Sequence, residues 1–281
     1  MSRKLKGREF KFDAGYGEIC VVDNEVAGPA ILFIHGNSGC KEVFCHQFNS
    51  SLAKQYRMIA FDLPGHGASD DAAVPNDVYR MATMTPIIRK LLEALDARDA
   101  VLVGWSLGGH LAIELAGTYP EHKGMVISGT PPFGPGRGEI ALAFNATEEM
   151  ALTDKEDFDA ADAALYAEAI LGKEASKDKT YIDAVLRTDG IMRAVSIGDW
   201  AMNDDAGLYH KTVVAGWKNP IAVIQGEREP FVNKDWMKDV TWGNLWNDKY
   251  HVVKGAGHAA FLECPKDYNE LLQQYLKELF A

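Results

Sequence analysis

The feature that most constrains the fold of this 281-residue chain is a series of short apolar runs separated by segments with helical spacing. The runs that we interpret as strands are residues 18–22, 30–35, 57–62, 100–104, 124–128, 221–225 and 251–254. Several are apolar throughout, as strands buried on both faces of a parallel sheet should be. Residues 75–97, 107–118 and 265–280 have the spacing of amphipathic helices. This alternation predicts an α/β fold with a mostly parallel, twisted sheet flanked by helices and a ligand site at the carboxyl ends of the strands.

The alternation breaks off between Pro131 and Trp217. Residues 130–139, TPPFGPGRGE, are rich in proline and glycine, and the acidic, alanine-rich segments that follow show helical patterns and no convincing strand. We therefore expect residues 1–130 and 218–281 to form one core. Residues 131–217 are expected to form a helical cap, inserted after strand 6, that closes over the strand ends within a single structural unit.

The run VLVGWSLGGH, residues 101–110, places Ser106 directly after a predicted strand and between two glycines. Its centre, GWSLG, matches the nucleophile elbow G-x-S-x-G, in which a strand reverses sharply into a helix and holds the serine in a strained conformation. Side chains at the glycine positions would collide with the crossing chain, and the helix N-terminus favours negative charge at the reacting centre. The pattern also arises by chance, but its position between a strand and a helix favours a nucleophile.

A nucleophilic serine needs donors for the oxyanion that forms during attack. One donor is expected to be the backbone N–H of Leu107, and the second should come from an earlier strand–helix loop. Residues 31–40, ILFIHGNSGC, have the form of such a loop. We assign the backbone N–H of Asn37 to this role, with its side chain as a further donor, and we expect His35 to be a hydrogen-bonded scaffold residue. Each donor contributes about 3 kcal/mol to transition-state stabilisation.

The general base is expected late in the chain, because the order on such folds is serine, acid, histidine. His258 follows the last predicted strand, in a loop of small residues within HVVKGAGHAAFLECP. The other candidates are weaker: His251 lies inside the strand, His210 in the cap, His66 in a turn, and His110 one turn into the helix after Ser106, where we expect it to face away from the strand ends.

The acid that orients the histidine should follow the penultimate strand, in PIAVIQGEREPFV, residues 220–232. Glu227 abuts the strand end, whereas Glu229 stands in the loop itself, and we favour Glu229. A glutamate can hold the imidazole tautomer and stabilise the imidazolium as an aspartate does. Asp62 and Asp205 are more remote alternatives.

Composition excludes several classes of function. A net charge of −11 argues against a nucleic-acid surface. No apolar run reaches the roughly 18 residues that a membrane span needs, and the basic residues near the start are not followed by the apolar region of a signal peptide. We therefore expect a cytoplasmic protein with neither nucleic acid nor membrane as a partner. The four cysteines and eight histidines have no metal-site spacing, so we expect free thiols, no metal and no cofactor.

With these residues in view, the chain resembles α/β-hydrolase-fold proteins over essentially its whole length, through the blocks HGNSG, DLPGHG, GWSLGGH and AGHA. A narrower resemblance is to the metal-independent N-acyl-homoserine lactonases of this fold, which degrade bacterial quorum-sensing signals. It rests on GWSLGGH (104–110), GTPP (129–132), RTDG (187–190), EPFV (229–232), GNLW (243–246) and AGHA (256–259). The triad of that family is serine, glutamate and histidine, which implies Ser106, Glu229 and His258 here.

The resemblance also implies that a cap tyrosine bonds the lactone, and the matching position is Tyr166 in AALYAEAILG, residues 163–172. From spacing alone, Tyr166 is equally well explained as an aromatic side chain packing in an amphipathic helix. The acyl tail of such a substrate needs an apolar cleft. Candidates for its lining are Trp105, Phe144, Trp200 and Met202, and ordinary core packing is the alternative for each.

The reaction implied is that of a serine hydrolase which opens a lactone ring through an acyl-enzyme, with a small-molecule acyl lactone or ester as substrate. A general carboxylesterase acting on small acyl esters would use the same catalytic residues. A ligand-binding receptor of the same fold, with slow or no turnover, is the alternative from a different class. A serine at the elbow argues against the dehalogenase and epoxide-hydrolase branches, which use aspartate there. Acyl-chain length and oligomeric state have no signal in the sequence.

Overall fold

The computed structural model describes residues 3–203 and 206–281, and eight strands in this part of the chain form one sheet. The strands are β1 (Arg8–Asp13), β2 (Glu18–Asp23), β3 (Ala30–Ile34), β4 (Arg57–Phe61), β5 (Val101–Trp105), β6 (Met125–Ser128), β7 (Ile221–Gly226) and β8 (His251–Val253). Their order across the sheet is β1-β2-β4-β3-β5-β6-β7-β8. The pairs β1–β2 and β2–β4 are antiparallel, and the remaining neighbours are parallel. The predicted fold class is confirmed.

The seven predicted strands agree with β2 to β8 to within one residue at each end. The prediction missed β1, because the basic residues near the start of the chain suggested a solvated segment. Phe10 and Phe12 of β1 nevertheless alternate with exposed side chains and pack partly buried against the core. That alternation is the period-2 signal of a half-buried edge strand.

The α-helices of the described residues cover the sheet and fill the connections between strands. They are α1 (Cys45–Phe48), α2 (Met81–Ala94), α3 (Leu107–Thr118), α4 (Arg137–Ala143), α5 (Ala160–Leu171), α6 (Lys179–Arg187), α7 (Gly190–Arg193), α8 (Asp199–Met202), α9 (His210–Gly216), α10 (Lys234–Lys238), α11 (Ala260–Glu263) and α12 (Pro265–Leu279). A π-helical segment, Ala194–Gly198, connects α7 to α8. Residues 75–97 were predicted as one helix. In the structure this range contains a short 3₁₀ turn (Pro75–Asp77) followed by α2.

The continuous apolar runs of the sequence arise because both faces of the sheet are buried. Along β3, Ile31 and Phe33 pack into one hydrophobic cluster, which includes α1, α11 and α12, whereas Leu32 and Ile34 pack into another, which includes α2 and α3. Each strand residue therefore has an apolar neighbour on its own face, and no polar position is required.

Between β6 and β7 the described residues form α4 to α9 and no strand of the sheet. A single isolated bridge, from Phe144 to Val232, connects this segment to the loop after β7. The division of the chain into a core and an inserted cap at residues 131–217 stays a prediction. Hereafter residues 131–217 are called the β6–β7 segment.

Two further sequence expectations concern the cysteines and the membrane. All four cysteines are free thiols, with Cys20, Cys40 and Cys45 buried and Cys264 partly exposed. Within the described ranges, the helices are too short or too polar for any of them to traverse a lipid bilayer.

Candidate active site

Ser106 lies in the sharp turn from β5 into α3, at a backbone conformation of φ 54° and ψ −121°. Its N–H donates to the carbonyl oxygen of Ser128 at 2.9 Å, and its own carbonyl accepts from the hydroxyl of Thr130 at 3.0 Å. A positive φ is unfavourable for a residue with a side chain, so these surrounding bonds hold the turn in place. The serine side chain is thereby presented at the carboxyl end of the sheet, as the elbow pattern predicts.

The glycines of the elbow are required by close backbone approach. A Cβ atom on Gly104 would lie 2.4 Å from the carbonyl oxygen of Gly108. One on Gly108 would lie 2.1 Å from the carbonyl oxygen of Ile34. The start of α3 can therefore cross the ends of β3 and β5 only if both positions lack side chains.

His258 and Glu229 face each other across the loops that follow β8 and β7. Nδ1 of His258 lies 2.9 and 3.0 Å from the two carboxylate oxygens of Glu229, and both residues are at most 5% exposed. Oε1 of Glu229 also accepts from the backbone N–H of Phe231 at 2.9 Å. Burial raises the pKa of Glu229, but His258 and these backbone donors lower it by more, so its pKa lies below the usual value. Glu229 is thus held as a carboxylate against the imidazole.

The imidazole of His258 is also fixed by packing. The indole N–H of Trp105 donates to the backbone carbonyl of His258 at 3.1 Å, and the edge of the Phe231 ring packs against the imidazole with centroids 4.8 Å apart. Gly129 adopts φ 62°, and a Cβ there would lie 2.5 Å from Cε1 of His258. The ring therefore occupies a slot whose walls leave little freedom of rotation.

The structure distinguishes the candidate acids. Glu227 is exposed, and its carboxylate accepts from the backbone N–H of Gly255 at 3.0 Å instead of contacting His258. Asp62 is fully buried in an ion pair with Nζ of Lys41 at 2.9 Å. Asp205 lies outside the described residues. Of the described candidates, Glu229 is the one that contacts His258.

The two expected oxyanion donors belong to residues that line the same cavity as Ser106. Asn37 lies in the loop after β3, and Leu107 is the first residue of α3. Among the described residues, neither backbone N–H has a hydrogen-bond acceptor. The side chain of Asn37, expected as a further donor, is engaged elsewhere: its Nδ2 donates to the carbonyl of Thr153 at 2.8 Å, and its Oδ1 accepts from the hydroxyl of Ser38.

Ser106, Leu107, Asn37 and His258 open onto a cavity of about 340 Å³. Most of its remaining wall comes from the β6–β7 segment. The larger apolar side chains of that wall include Phe133, Ile140, Phe144, Met150, Ile170, Ile197 and Trp200. A cavity lined both by these reactive polar groups and by many apolar side chains suits a substrate with a carbonyl group and a hydrocarbon tail.

The predicted substrate contacts divide into two groups. Tyr166 lines the cavity and is 3% exposed, and burial raises its pKa above the usual range. Phe144 and Trp200 also line the cavity. The expectation for Trp105 is wrong, because its side chain packs beneath His258 and is not part of the lining. The expectation for Met202 is wrong as well, because Met202 is 56% exposed and lies outside the lining.

Sequence reasoning misplaced His110, a polar residue of the cavity wall that has buried polar partners behind it. His110 was expected to face away from the strand ends, and this is wrong, because its side chain lines the cavity. It contacts the buried His210, which in turn contacts the buried Glu114. The signal was present in the sequence: His110 and Glu114 are four residues apart on one helix and so lie on the same face.

The histidines interpreted as structural have both ring nitrogens engaged with the backbone. Nε2 of His35 accepts from the N–H of Leu63 at 3.0 Å, and its Nδ1 contacts the carbonyl of Gly36. Nε2 of His66 accepts from the N–H of Ser38 at 3.0 Å. Both residues thus brace the loop that carries Asn37. Across residues 3–203 and 206–281, no group of three or more His, Cys, Asp or Glu side chains could hold a metal ion.

Comparison with known proteins agrees with this architecture. A family model described as alpha/beta hydrolase fold matches residues 29–265. The N-acyl homoserine lactonase AidH, solved with a serine changed to glycine and with N-hexanoyl homoserine lactone bound, superposes with a TM-score of 0.92 at 36% identity, over 97% of this chain and 98% of that one. AidH solved with N-butanoyl homoserine gives the same TM-score and identity, over 97% of each chain.

Among curated proteins, a 2-hydroxy-6-oxononadienedioate/2-hydroxy-6-oxononatrienedioate hydrolase of Paraburkholderia phymatum is 27% identical over 94% of this chain and 89% of its own length. AidH is the more similar of the two in sequence, at 36% identity against 27%. The resemblance to N-acyl homoserine lactonases is confirmed, and the chain belongs to the α/β-hydrolase family.

Proposed function

We propose that this hydrolase of carboxylic ester bonds opens the lactone ring of N-acyl homoserine lactones. Ser106 is the nucleophile, His258 the general base and Glu229 the acid that orients His258. The observation that carries the proposal is that Ser106, His258 with its partner Glu229, and the two residues with unpaired backbone N–H groups border one largely apolar cavity.

The first half of the reaction forms an acyl-enzyme. The hydroxyl of Ser106 attacks the ring carbonyl while Nε2 of His258 takes its proton. The backbone N–H groups of Leu107 and Asn37 donate to the oxyanion of the tetrahedral intermediate. Glu229 holds Nδ1–H of His258, which leaves Nε2 as the acceptor and stabilises the imidazolium once it forms.

The second half releases the product. The acyl-enzyme is complete when the tetrahedral intermediate collapses, the ring C–O bond breaks and His258 gives its proton to the departing ring oxygen. His258 then activates a water molecule that hydrolyses the acyl-enzyme. The leaving alcohol of a lactone remains tethered and can attack again, with an effective molarity of about 10⁵ M or more for well-oriented groups. The site therefore has to move this alcohol away from the acyl carbon. Tyr166, which borders the cavity beside Asn37, is in a position to hold it by a hydrogen bond.

The acyl chain is proposed to lie along the apolar wall that the β6–β7 segment supplies, which gives this segment the role of a cap. The ligands of AidH support this choice of substrate. With a serine changed to glycine, AidH is complexed with N-hexanoyl homoserine lactone, and AidH is also solved in complex with N-butanoyl homoserine. Trp105 has no part in the substrate contacts proposed here and serves to position His258.

The experiment that tests the proposal is pH-stat titration of acid release from N-hexanoyl homoserine lactone, corrected for spontaneous ring opening. Parallel assays use p-nitrophenyl butyrate, a chelator and the Ser106→Ala variant. We expect rapid lactone opening that Ser106→Ala reduces by at least about 10⁴-fold and the chelator leaves unchanged. Turnover of the ester without the lactone would identify a general carboxylesterase. Failure to turn over either substrate would support a ligand-binding receptor.

A further inference from the structure

The loop that carries His258 has few side chains of its own to hold it in shape. Residues 254–259, KGAGHA, connect β8 to α11 through turns and irregular backbone. Apart from Lys254 and His258, the side chains of this loop are those of glycine and alanine. Glycine restricts the backbone least of all residues, so the loop gains little rigidity from its own sequence. The position of the imidazole therefore depends on hydrogen bonds to the backbone of the loop.

Glu263 forms two such bonds, one on each side of His258. Its side-chain Oε1 accepts from the backbone N–H of Gly257, the residue before the histidine, at 2.9 Å. Its backbone N–H donates to the carbonyl of Ala259, the residue after the histidine, at 2.9 Å. Together these bonds close a loop of main chain around His258. The conformation of both neighbouring residues, and with it the direction in which the imidazole leaves the backbone, is thereby constrained.

The carboxyl group of Glu263 occupies a slot between two glycines. A Cβ atom on Gly257 would lie 3.0 Å from Oε1 of Glu263, and one on Gly172 would lie 2.7 Å from its Cδ. Gly172 follows α5 at φ 82°, a conformation that disfavours any side chain there. One wall of the slot thus belongs to the His258 loop and the other to the β6–β7 segment. The carboxyl group has little room to turn away from Gly257.

Glu263 differs in its surroundings from Glu227, the other carboxylate that holds this loop. Glu227 accepts from the N–H of Gly255 at 3.0 Å but is exposed, so water competes for its oxygens. Glu263 is partly buried, and burial raises its pKa above the usual value, while the N–H of Gly257 opposes that rise. A carboxylate that has lost part of its hydration depends more on the protein donor that replaces water. Of the two contacts, the one from Glu263 is therefore the stronger constraint.

We propose that Glu263 is a positioning residue for the general base: by holding the N–H of Gly257, it keeps the imidazole of His258 aligned between Glu229 and Ser106. Glu263 borders a separate surface cavity and not the one that Ser106 lines, so it acts through His258 without touching substrate. The inference rests on the catalytic roles in the proposed function, and it holds for a lactone or an ester substrate alike.

The first test measures kcat and KM for p-nitrophenyl butyrate with wild type, Glu263→Ala and Glu263→Gln. Alanine removes the acceptor, and we expect kcat to fall by about 10- to 100-fold with KM within about 2-fold, because a misplaced base affects the chemical step and not substrate binding. Glutamine keeps an acceptor oxygen of the same reach, so kcat should stay within about 3-fold of wild type. Glu227→Ala is the matched control, with kcat also within about 3-fold.

The second test records the low-field proton resonance of Nδ1–H of His258, in its bond to Glu229, by NMR without substrate. Loss of the resonance in His258→Gln assigns it. A mobile imidazole exchanges this proton with water faster, so the resonance should disappear in Glu263→Ala and persist in Glu263→Gln and Glu227→Ala. A purely structural role of Glu263, which lowers the stability but leaves the folded site intact, would not remove it.

If Glu263→Ala does not fold, Glu263→Asp replaces it in both tests, because the shorter side chain keeps the charge and withdraws the acceptor from Gly257. Wild-type kcat or a retained resonance in the shortened variant overturns the proposal. Equal losses of kcat in Glu263→Gln and Glu263→Ala overturn it as well, since the amide retains the acceptor.

The resonance also separates failure of this inference from failure of the proposed function. If wild type hydrolyses neither the ester nor the lactone, the proposed function fails, and the effect of Glu263→Ala on the His258 resonance still decides the positioning role. If wild type opens the lactone and Glu263→Ala retains both its kcat and the resonance, the proposed function stands and the positioning role fails.

Discussion

The sheet and the β6–β7 segment build the two halves of one cavity in different ways. On the sheet side, backbone atoms approach so closely that Gly104 and Gly108 admit no Cβ. On the other side, side-chain bonds such as Asn37 with Thr153 and Arg80 with Asp199 attach the segment to the core, beside main-chain bonds such as that from the N–H of Asp189 to the carbonyl of Gly65. The geometry of the chemistry is therefore set by main-chain packing, and the shape of the substrate wall by contacts that substitution can alter.

Arg193 shows how the attachment of the segment works. Its guanidinium group is 2% exposed and donates to the backbone carbonyls of Lys155 and Glu156 at 2.7 and 2.6 Å. A weaker bond at 3.4 Å reaches the hydroxyl of Ser38, next to Asn37. Phe158 stacks under the charge at 3.9 Å. One side chain of α7 thus links residues 155–158 of the β6–β7 segment to the loop that carries a proposed oxyanion donor.

The largest effect is expected from Gly108→Ala on the sheet side. The new Cβ would meet the carbonyl oxygens of Ile34 and His35 at 2.1 and 2.5 Å, and backbone atoms cannot rotate away as a side chain can. We expect the free energy of unfolding to fall by about 3 kcal/mol or more, with loss of detectable hydrolysis. Thermal unfolding by circular dichroism measures the first effect and ester hydrolysis the second. A variant with wild-type stability and activity would show that the elbow is less rigid than the contacts indicate.

Next in size is Glu229→Gln, which tests the orientation of His258 without a large change of shape. The amide can donate as well as accept, so it no longer specifies the tautomer with Nδ1–H. We expect kcat to fall by about 10³- to 10⁴-fold with KM nearly unchanged. The control is Glu227→Gln, since Glu227 is exposed and bonded to Gly255. Equal losses in the two variants would contradict the assignment of Glu229.

The lowered pKa of Glu229 adds a pH dependence to this comparison. Because the pKa is lower in the folded protein than in the unfolded chain, the carboxylate stabilises the fold above the unfolded value, about 4.3. That stabilisation is lost as the pH falls through the folded value. Wild-type thermal stability should therefore drop more steeply with acidification below about pH 5 than that of Glu229→Gln. Parallel curves would indicate that Glu229 has the same pKa in both states.

The same contrast explains how much could be predicted from the sequence. Strands β2 to β8 were predictable because each residue is buried on one of two apolar faces, and the elbow because close approach demands glycine at fixed spacing. Ser106, Glu229 and His258 follow strands in a fixed order, which let each be predicted from its position. Trp105 was wrongly predicted to line the cavity. Side chains along β5 alternate between the two faces of the sheet, but this alternation does not show which helix or loop covers each face.

The β6–β7 segment and the residues that contact it were far less predictable. His110 was expected to face away from the strand ends, which is wrong. Its side chain contacts His210 of α9, which in turn contacts Glu114 of α3, and the local sequence pattern around His110 gives no information about a contact with a distant helix. Met202 was assigned to the lining because it is apolar, yet it lies at the end of a four-residue helix and points to solvent. Where side-chain contacts between distant residues decide the arrangement, local pattern carries little information about it.

A smaller effect than those on the sheet side is expected from Arg193→Met. Methionine fills part of the volume but leaves the carbonyls of Lys155 and Glu156 without their donor, and each unsatisfied group costs about 1 kcal/mol or more. We expect a loss of about 2 kcal/mol in stability, faster proteolytic cleavage near residues 153–158 and a several-fold lower kcat/KM. Arg193→Lys, which keeps the charge and some of the donors, should lose less. Unchanged proteolysis in Arg193→Met would show that other contacts suffice to hold the segment.

The smallest effect, and the opposite sign, is expected from Gly198→Ala in the β6–β7 segment. Gly198 has helical dihedral angles, φ −63° and ψ −47°, and a Cβ there would meet no atom within 4 Å. Alanine reduces the conformational freedom of the unfolded chain at no steric cost, so stability should rise by about 0.5–1 kcal/mol, with activity within about 2-fold of wild type. Measuring the thermal unfolding of Gly198→Ala and Gly108→Ala in parallel makes the comparison direct. The same glycine-to-alanine change is expected to stabilise one half of the cavity and to disrupt the other. A loss of stability in Gly198→Ala would mean that the segment is packed as strictly as the sheet, and that its shape is no easier to vary.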